Sequence, residues 1–128
     1  GEVANVFERK YMTRLTENYD IEAMKKAAVY LIGEHDFKSF CDNKRMKKST
    51  IRTISDISIN NSDGIITIDF YGNGFLYHMV RILTGTLLMV GTHELSCDDI
   101  PDIIEKKSRD AAGFTAPPQG LCLVEVDY

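Results

Sequence analysis

A chain of 128 residues with 44% apolar and 27% charged side chains is long enough for one domain around one core, and it carries no polar tract that reads as disordered. Its net charge of -4 excludes nucleic-acid binding by bulk charge and leaves only a local basic surface for that purpose. The longest apolar run, Ile82–Val90, is too short to span a bilayer, and no segment reads as a signal peptide.

Residues 5–15 mix apolar and charged side chains and read as an incoming strand. Asp20 is suited to cap a helix over IEAMKKAAVYLI, and Gly33 to end it. Within it Ile21, Met24, Ala28 and Leu31 recur at helical spacing and face the core. HDFKSF then reads as a short turn that buries Phe37 and Phe40. Lys38, Lys44, Arg45, Lys47, Lys48 and Arg52 follow within fifteen residues, opposed only by Asp42. This stripe reads as a loop, either a phosphate grip or a solvated surface; charge alone does not choose.

Residues 50–59 alternate, with Ile51, Thr53, Ser55, Ile57 and Ile59 on one side and Arg52, Ile54, Asp56 and Ser58 on the other. Asn60 to Gly64 is a turn, and residues 65–71 alternate again, which makes a hairpin. Gly72-Asn73-Gly74 breaks the second strand. A helix buried on most faces is expected from about Phe75 to Val90. Ser96 with Asp99 matches a capping box, and Pro101 fits the first turn of a helix ending near Lys107. Residues 116–120 read as a rigid turn and residues 121–126 as a final strand. The order helix, hairpin, helix, helix, strand predicts an α+β fold: a mostly antiparallel sheet with helices packed on one face.

Arg81 is the only formally charged residue between Tyr71 and Gly91, and His78 is the only other side chain there that titrates near neutral pH. A buried arginine needs an anion, because stripping its charge of water costs several kcal/mol. No Asp or Glu lies in the stretch. Either Arg81 snorkels to water, or its partner comes from elsewhere in the fold, from another chain or from a ligand. At helical spacing its neighbours are Tyr77, His78, Thr84 and Gly85. Tyr77 and His78 are therefore candidate substrate contacts, and Gly85 is a place where another backbone can approach. With no Ser or Cys nucleophile beside it, His78 is more simply a structural histidine.

Gly72-x-Gly74 stands between a strand and a helix, as a phosphate-binding turn would, but the third glycine is missing and a tight connection is the simpler reading. His35-Asp36 and His93-Glu94 are too far apart for a metal motif, so no metal site is expected. Cys41, Cys97 and Cys122 show no metal-type spacing and suit reduced thiols in a cytoplasmic protein. Residues 109–121 are dense in backbone punctuation. They form either an ordered loop or a rigid wall that sets Leu121 against a flat ligand.

Four segments carry a resemblance: GEHDFKSF (Gly33–Phe40), IRTI (Ile51–Ile54), GNGFLYHMVRILTGTLLMVG (Gly72–Gly91) and AAGFTAPPQGLCLVEVDY (Ala111–Tyr128). In order and spacing they resemble the carboxyl-terminal half of the tRNA pseudouridine synthase A family. The resemblance implies an isomerase that converts uridine to pseudouridine in the anticodon stem-loop of tRNA, with no metal or organic cofactor. It also implies a cytoplasmic homodimer whose shared cleft grips the tRNA. Residues 1–128 would be a single carboxyl-terminal domain, which fits a start at Gly1 rather than Met.

The family's catalytic aspartate belongs to an Arg-Thr-Asp-x-Gly-Val-His type motif in the amino-terminal half. Here Arg52-Thr53 runs on to Ile54, so this stretch alone is expected to lack the nucleophile, and the family's active-site tyrosine with it. Arg81 stands where the family has a basic residue paired with that aspartate. Leu121 stands where it has an apolar contact for the uracil ring. Lys44, Arg45, Lys47 and Lys48 would contribute to the phosphate grip. Phe114 departs from the family, in which many relatives have proline. Two other readings stay open on the residues themselves: a non-catalytic RNA-binding module resting on the basic stripe, and a dimerisation domain in which Arg81 makes an ordinary ion pair.

Overall fold

The structure, a computed structural model, describes residues 6–15, 17–42 and 48–122. Its frame is the hairpin of β3 (Ile51–Ser62) and β4 (Ile65–Gly72). Asp63 and Gly64 join these strands with φ of 54° and 76°, the two positive values that a tight hairpin turn requires. The turn is thus shorter than the sequence pattern implied, and Asn60–Ser62 stay paired with β4. The incoming strand forms as β1 (Phe7–Arg14) and lies antiparallel along β4, from Phe7 opposite Gly72 to Arg14 opposite Ile65. Two further short strands join the sheet among the described residues. β2 (Gly33–Asp36) pairs with the start of β3, and β5 (Leu121–Cys122) pairs with β1. The five strands run in the order β2-β3-β4-β1-β5, every pair antiparallel. Of the final strand expected over 121–126, residues 123–126 lie outside the described residues.

The simple alternation read into β3 fails at one point. Ile54 pairs with Gly72 and Asp56 with Tyr71, so Ser55 is an extra residue, a β-bulge. The bulge reverses the parity of the strand. Ile54, expected on the side opposite Ile57 and Ile59, is buried together with them. These three join Ile66, Ile68 and Phe70 of β4 in one apolar face.

The helices cover that face. α1 (Ile21–Leu31) starts at Asp20, whose carboxylate accepts the Ala23 N–H at 3.0 Å, and gives way at Gly33, where φ is 108°. Met24, Ala27, Ala28 and Leu31 are its buried side. α2 (Met79–Gly91) is buried on nearly every side, as its composition requires. It begins four residues later than the apolar run suggested. Phe75–His78 is not helical, and His78 takes a left-handed φ of 60°. α3 (Ile100–Lys106) follows the capping box of Ser96 and Asp99. Phe37 and Phe40 are fully buried. The opposite face of the sheet is polar: Tyr71 donates to Glu8 at 3.2 Å, and Lys10 lies 3.8 Å from Asp69. Among the described residues, no helix is long and apolar enough to cross a membrane.

Candidate active-site cleft

Arg81 sits in the first turn of α2, where the partial positive charge of the helix end adds to its own. It is half-buried and tightly held. Its Nε–H donates to the Ala116 carbonyl at 2.7 Å, and the Ala116 N–H donates back to the Arg81 carbonyl at 2.9 Å. This reciprocal contact needs residues 113–116 to lie directly on the helix, and Gly85 makes that possible. A Cβ at Gly85 would stand 1.8 Å from the Phe114 carbonyl oxygen. The expected backbone approach is therefore real, and Phe114 is the residue that approaches. One turn further on, the Gly113 N–H donates to Thr86 Oγ1 at 2.9 Å, while the Thr86 hydroxyl donates to the Ile82 carbonyl.

Among the described residues, no carboxylate lies within ion-pair distance of Arg81. Its side chain instead lines a cavity of about 190 Å³ together with Arg9, Phe75 and His78. The Arg9 guanidinium stands 5.6 Å from the centre of the Phe75 ring. Arg81 gives this small cavity a positively charged wall that favours an anionic occupant. The buried Tyr11 donates its hydroxyl to the Pro117 carbonyl at 2.7 Å. Burial pushes its phenol above the ordinary range, and the charge of Arg81 pulls it partly back. Tyr11 is thus a neutral neighbour that props the 116–117 backbone. A wider cavity of about 660 Å³ lies between Asp42, Glu94, Arg109, Asp110 and Phe114. Carboxylates outnumber cations there, so the smaller cavity is the better anion site.

His78 has a partner that its sequence neighbours did not reveal. Its Nδ1 lies 2.7 Å from Asp42 Oδ2, and Arg109 Nε donates to Asp42 Oδ1 at 2.8 Å. The bonds from His78 and Arg109 hold the Asp42 carboxyl below the ordinary carboxylate range, against an opposing push from burial. An ionised carboxylate only accepts, so the Nδ1 of His78 carries a proton. The Tyr77 and His78 rings stack with centroids 3.8 Å apart, and Tyr77 is 60% exposed. Because α2 starts at Met79, neither residue reaches Arg81 by helical spacing. His78 is brought to the cavity by the non-helical approach instead, and Tyr77 lies at the surface beside it.

Leu121 opens β5 directly opposite Tyr11, on the strand that also carries Arg9. Lys48 is exposed. Lys44, Arg45 and Lys47 lie outside the described residues. Gly72-Asn73-Gly74 is a strand-ending turn pinned to β3: the Asn73 side chain accepts the Thr53 N–H at 2.9 Å. Among the described residues, no three His, Cys, Asp or Glu side chains form a cluster able to hold a metal ion. Sequence reasoning missed Arg9, Asp42 and Arg109. A basic residue in an ordinary amphipathic strand gives no signal, and the other two meet their partners only through the fold.

Comparison with known proteins identifies the family. The model of the tRNA pseudouridine synthase family matches residues 27–128. The tRNA pseudouridine synthase A of Thermoanaerobacter sp. (strain X514) is 48% identical over 120 residues, 94% of this chain and 49% of that protein. The tRNA pseudouridine synthase A 1 of Bacillus cereus (strain ATCC 14579) is 47% identical over 128 residues, 100% of this chain and 52% of that protein. The tRNA pseudouridine synthase A of Acetivibrio thermocellus is 46% identical over 114 residues, 89% of this chain and 47% of its own length. The chain spans about half the length of the curated relatives it matches. It belongs to the tRNA pseudouridine synthase family.

Proposed function

We propose that this chain is the carboxyl-terminal domain of a cytoplasmic, homodimeric tRNA pseudouridine synthase. In this reading Arg81 is the cation that holds the nucleophilic aspartate supplied by the other half of the protein. The observation that carries the reading is a half-buried guanidinium, fixed by its Nε on the wall of a small cavity, that faces no carboxylate among the described residues. A carboxylate entering that cavity would meet Arg81 and the positive end of α2. Both favour its ionised form and limit its rotamers. An ionised, aimed carboxylate is what attack on a nucleoside needs.

Conversion of uridine to pseudouridine moves the glycosidic bond from N1 to C5 of the uracil. The base has to leave the helical stack to be reached, which costs a few kcal/mol. Three groups of residues are assigned to offset that cost in the anticodon stem-loop. Leu121 is the apolar contact for the uracil ring. The exposed Tyr77, stacked on His78, offers a flat surface at the cavity mouth. Lys44, Arg45, Lys47 and Lys48 contribute phosphate contacts. The structural reading of His78 has its own support in the bond to Asp42, so its role at the mouth is to hold the Tyr77 ring.

The test is Arg81→Ala in the full-length protein, assayed for pseudouridine formation on a tRNA transcript with enzyme in excess. Loss of a fixed charge at the reacting group should lower the single-turnover rate at least about 100-fold, with tRNA affinity little changed. A wild-type rate would overturn the assignment. Loss of tRNA binding with an intact rate at saturation would instead favour a non-catalytic RNA-binding role for this half.

A further inference from the structure

We propose that Asp42 and Arg109 are positioning residues that aim Arg81. The inference rests on the reading of Arg81 as the catalytic cation. Its basis is a continuous path of hydrogen bonds. Arg109 spends its guanidinium on three acceptors: Nε on Asp42 Oδ1 at 2.8 Å, one terminal nitrogen on the Gly113 carbonyl at 2.8 Å, and the other on Thr115 Oγ1 at 3.0 Å. Gly113 and Thr115 flank Phe114, the residue seated on Gly85. The next residue, Ala116, supplies the carbonyl that holds Arg81 Nε. Among the described residues, Arg81's side chain has no other hydrogen-bond partner, so the placement of residues 113–116 sets its direction.

Asp42 fixes the origin of that path. Its second oxygen takes the bond from His78, one residue ahead of α2, and its own N–H donates to the Tyr77 carbonyl at 3.4 Å. The start of α2 and the strap of residues 113–116 are thereby tied to one carboxylate. The planar fork of arginine is needed because the three acceptors diverge; lysine keeps the charge and loses the geometry. The side chains of Asp42, His78 and Arg109 are 31%, 29% and 22% exposed, so the network is partly sheltered from water. A displacement of about 1 Å at a catalytic group can cost about 100-fold in rate, so a loosened strap is expected to register in turnover.

The experiment uses the full-length protein, a tRNA transcript and single-turnover rates. Arg109→Lys should slow the chemical step by about 10-fold to 100-fold and leave tRNA affinity unchanged. The decisive comparison places Arg109→Lys in an Arg81→Lys background. If Arg109 acts through Arg81, the second change adds little further loss; a general structural role would cost the same factor in both backgrounds. Thr115→Val, which removes one acceptor and no charge, should show a smaller loss that also vanishes with Arg81→Lys. It carries the comparison if Arg109→Lys does not fold. Asp42→Asn retains an acceptor for Arg109 and should fall between wild type and Asp42→Ala. Wild-type rates for both Arg109→Lys and Thr115→Val, or full additivity with Arg81→Lys, would overturn the inference while leaving Arg81 catalytic. A wild-type rate for Arg81→Ala would overturn the functional reading beneath it.

Discussion

Gly85→Ala tests the seating of the strap with a single methyl group. The added Cβ would lie 1.8 Å from the Phe114 carbonyl oxygen and 2.8 Å from its carbon, where ordinary contact begins at 3.4 Å. The obstacle is backbone, so no side chain can swing aside, and residues 113–116 must retreat by about 1.6 Å. Three hydrogen bonds span the gap: Arg81 Nε to Ala116, Ala116 to Arg81, and Gly113 to Thr86. Each contributes about 0.5–1.5 kcal/mol. Alanine returns about 1 kcal/mol of helix propensity. The net loss is about 0.5–3.5 kcal/mol, and on the proposed function a shift of this size at Arg81 should slow pseudouridine formation about 100-fold. Denaturant unfolding and single-turnover rates of the full-length protein measure the two effects. Gly91→Ala is the control in the same helix: its methyl meets Met24 Sδ at 2.7 Å and the Tyr19 ring at 2.9 Å, both side chains that can move. It should leave the rate of folded enzyme unaltered. Gly85→Ala with wild-type stability and rate would show that the strap does not depend on this contact.

Two further expectations concern charge. Asp69 is 9% exposed, and its Oδ1 has no hydrogen-bond partner among the described residues. Burial, with nearby Glu8, raises its pKa above the ordinary value. The folded state therefore holds this proton more tightly, and stability from it is lost as pH rises through the raised value. Asp69→Asn should raise the unfolding midpoint at neutral pH, with the gain fading towards about pH 4; a gain independent of pH would rule out a buried charge as its source. Asp20 behaves oppositely: the bond to His93, then the Ala23 N–H, hold its pKa below the ordinary value. Asp20→Ala should lower the midpoint at neutral pH, and the deficit should close as pH falls through the depressed value, with Asp20→Ser in between because it keeps the cap. A deficit that persists in acid would point to packing instead.

Much of the frame was legible in the sequence because its signals are local. Asp20 and Gly33 bracket α1, Asp63-Gly64 closes the hairpin, and Ser96 with Asp99 caps the approach to α3. What was hidden depends on pairing across the fold. Four residues, Gly33–Asp36, carry no readable period and become β2 only beside β3. Ser55 looks like any strand residue until Gly72 and Tyr71 meet Ile54 and Asp56. Phe75–His78 continues an apolar run, so composition extended α2 backwards, whereas the left-handed His78 delays the helix. The site divides in the same way. Arg81 declared itself as a lone charge in an apolar helix. Asp42 and Arg109 stand 67 positions apart in the chain, and no spacing rule connects them.

On the proposed function Arg81 belongs to a bipartite site, and its half is ordered before the partner arrives. A free arginine on a surface would have to give up side-chain entropy when it meets a carboxylate, and that cost would weaken both docking and catalysis. Arg81 has lost much of this freedom already. Its Nε is committed to Ala116, its backbone carbonyl to the same residue, and the strap that holds both is clamped by Arg109 and by the close fit at Gly85. The ordering cost is carried by the folding of this half, whose apolar sheet face and helices supply the driving force. On the proposed function, what remains for the aspartate is the favourable part: a fixed positive charge, reinforced by the end of α2.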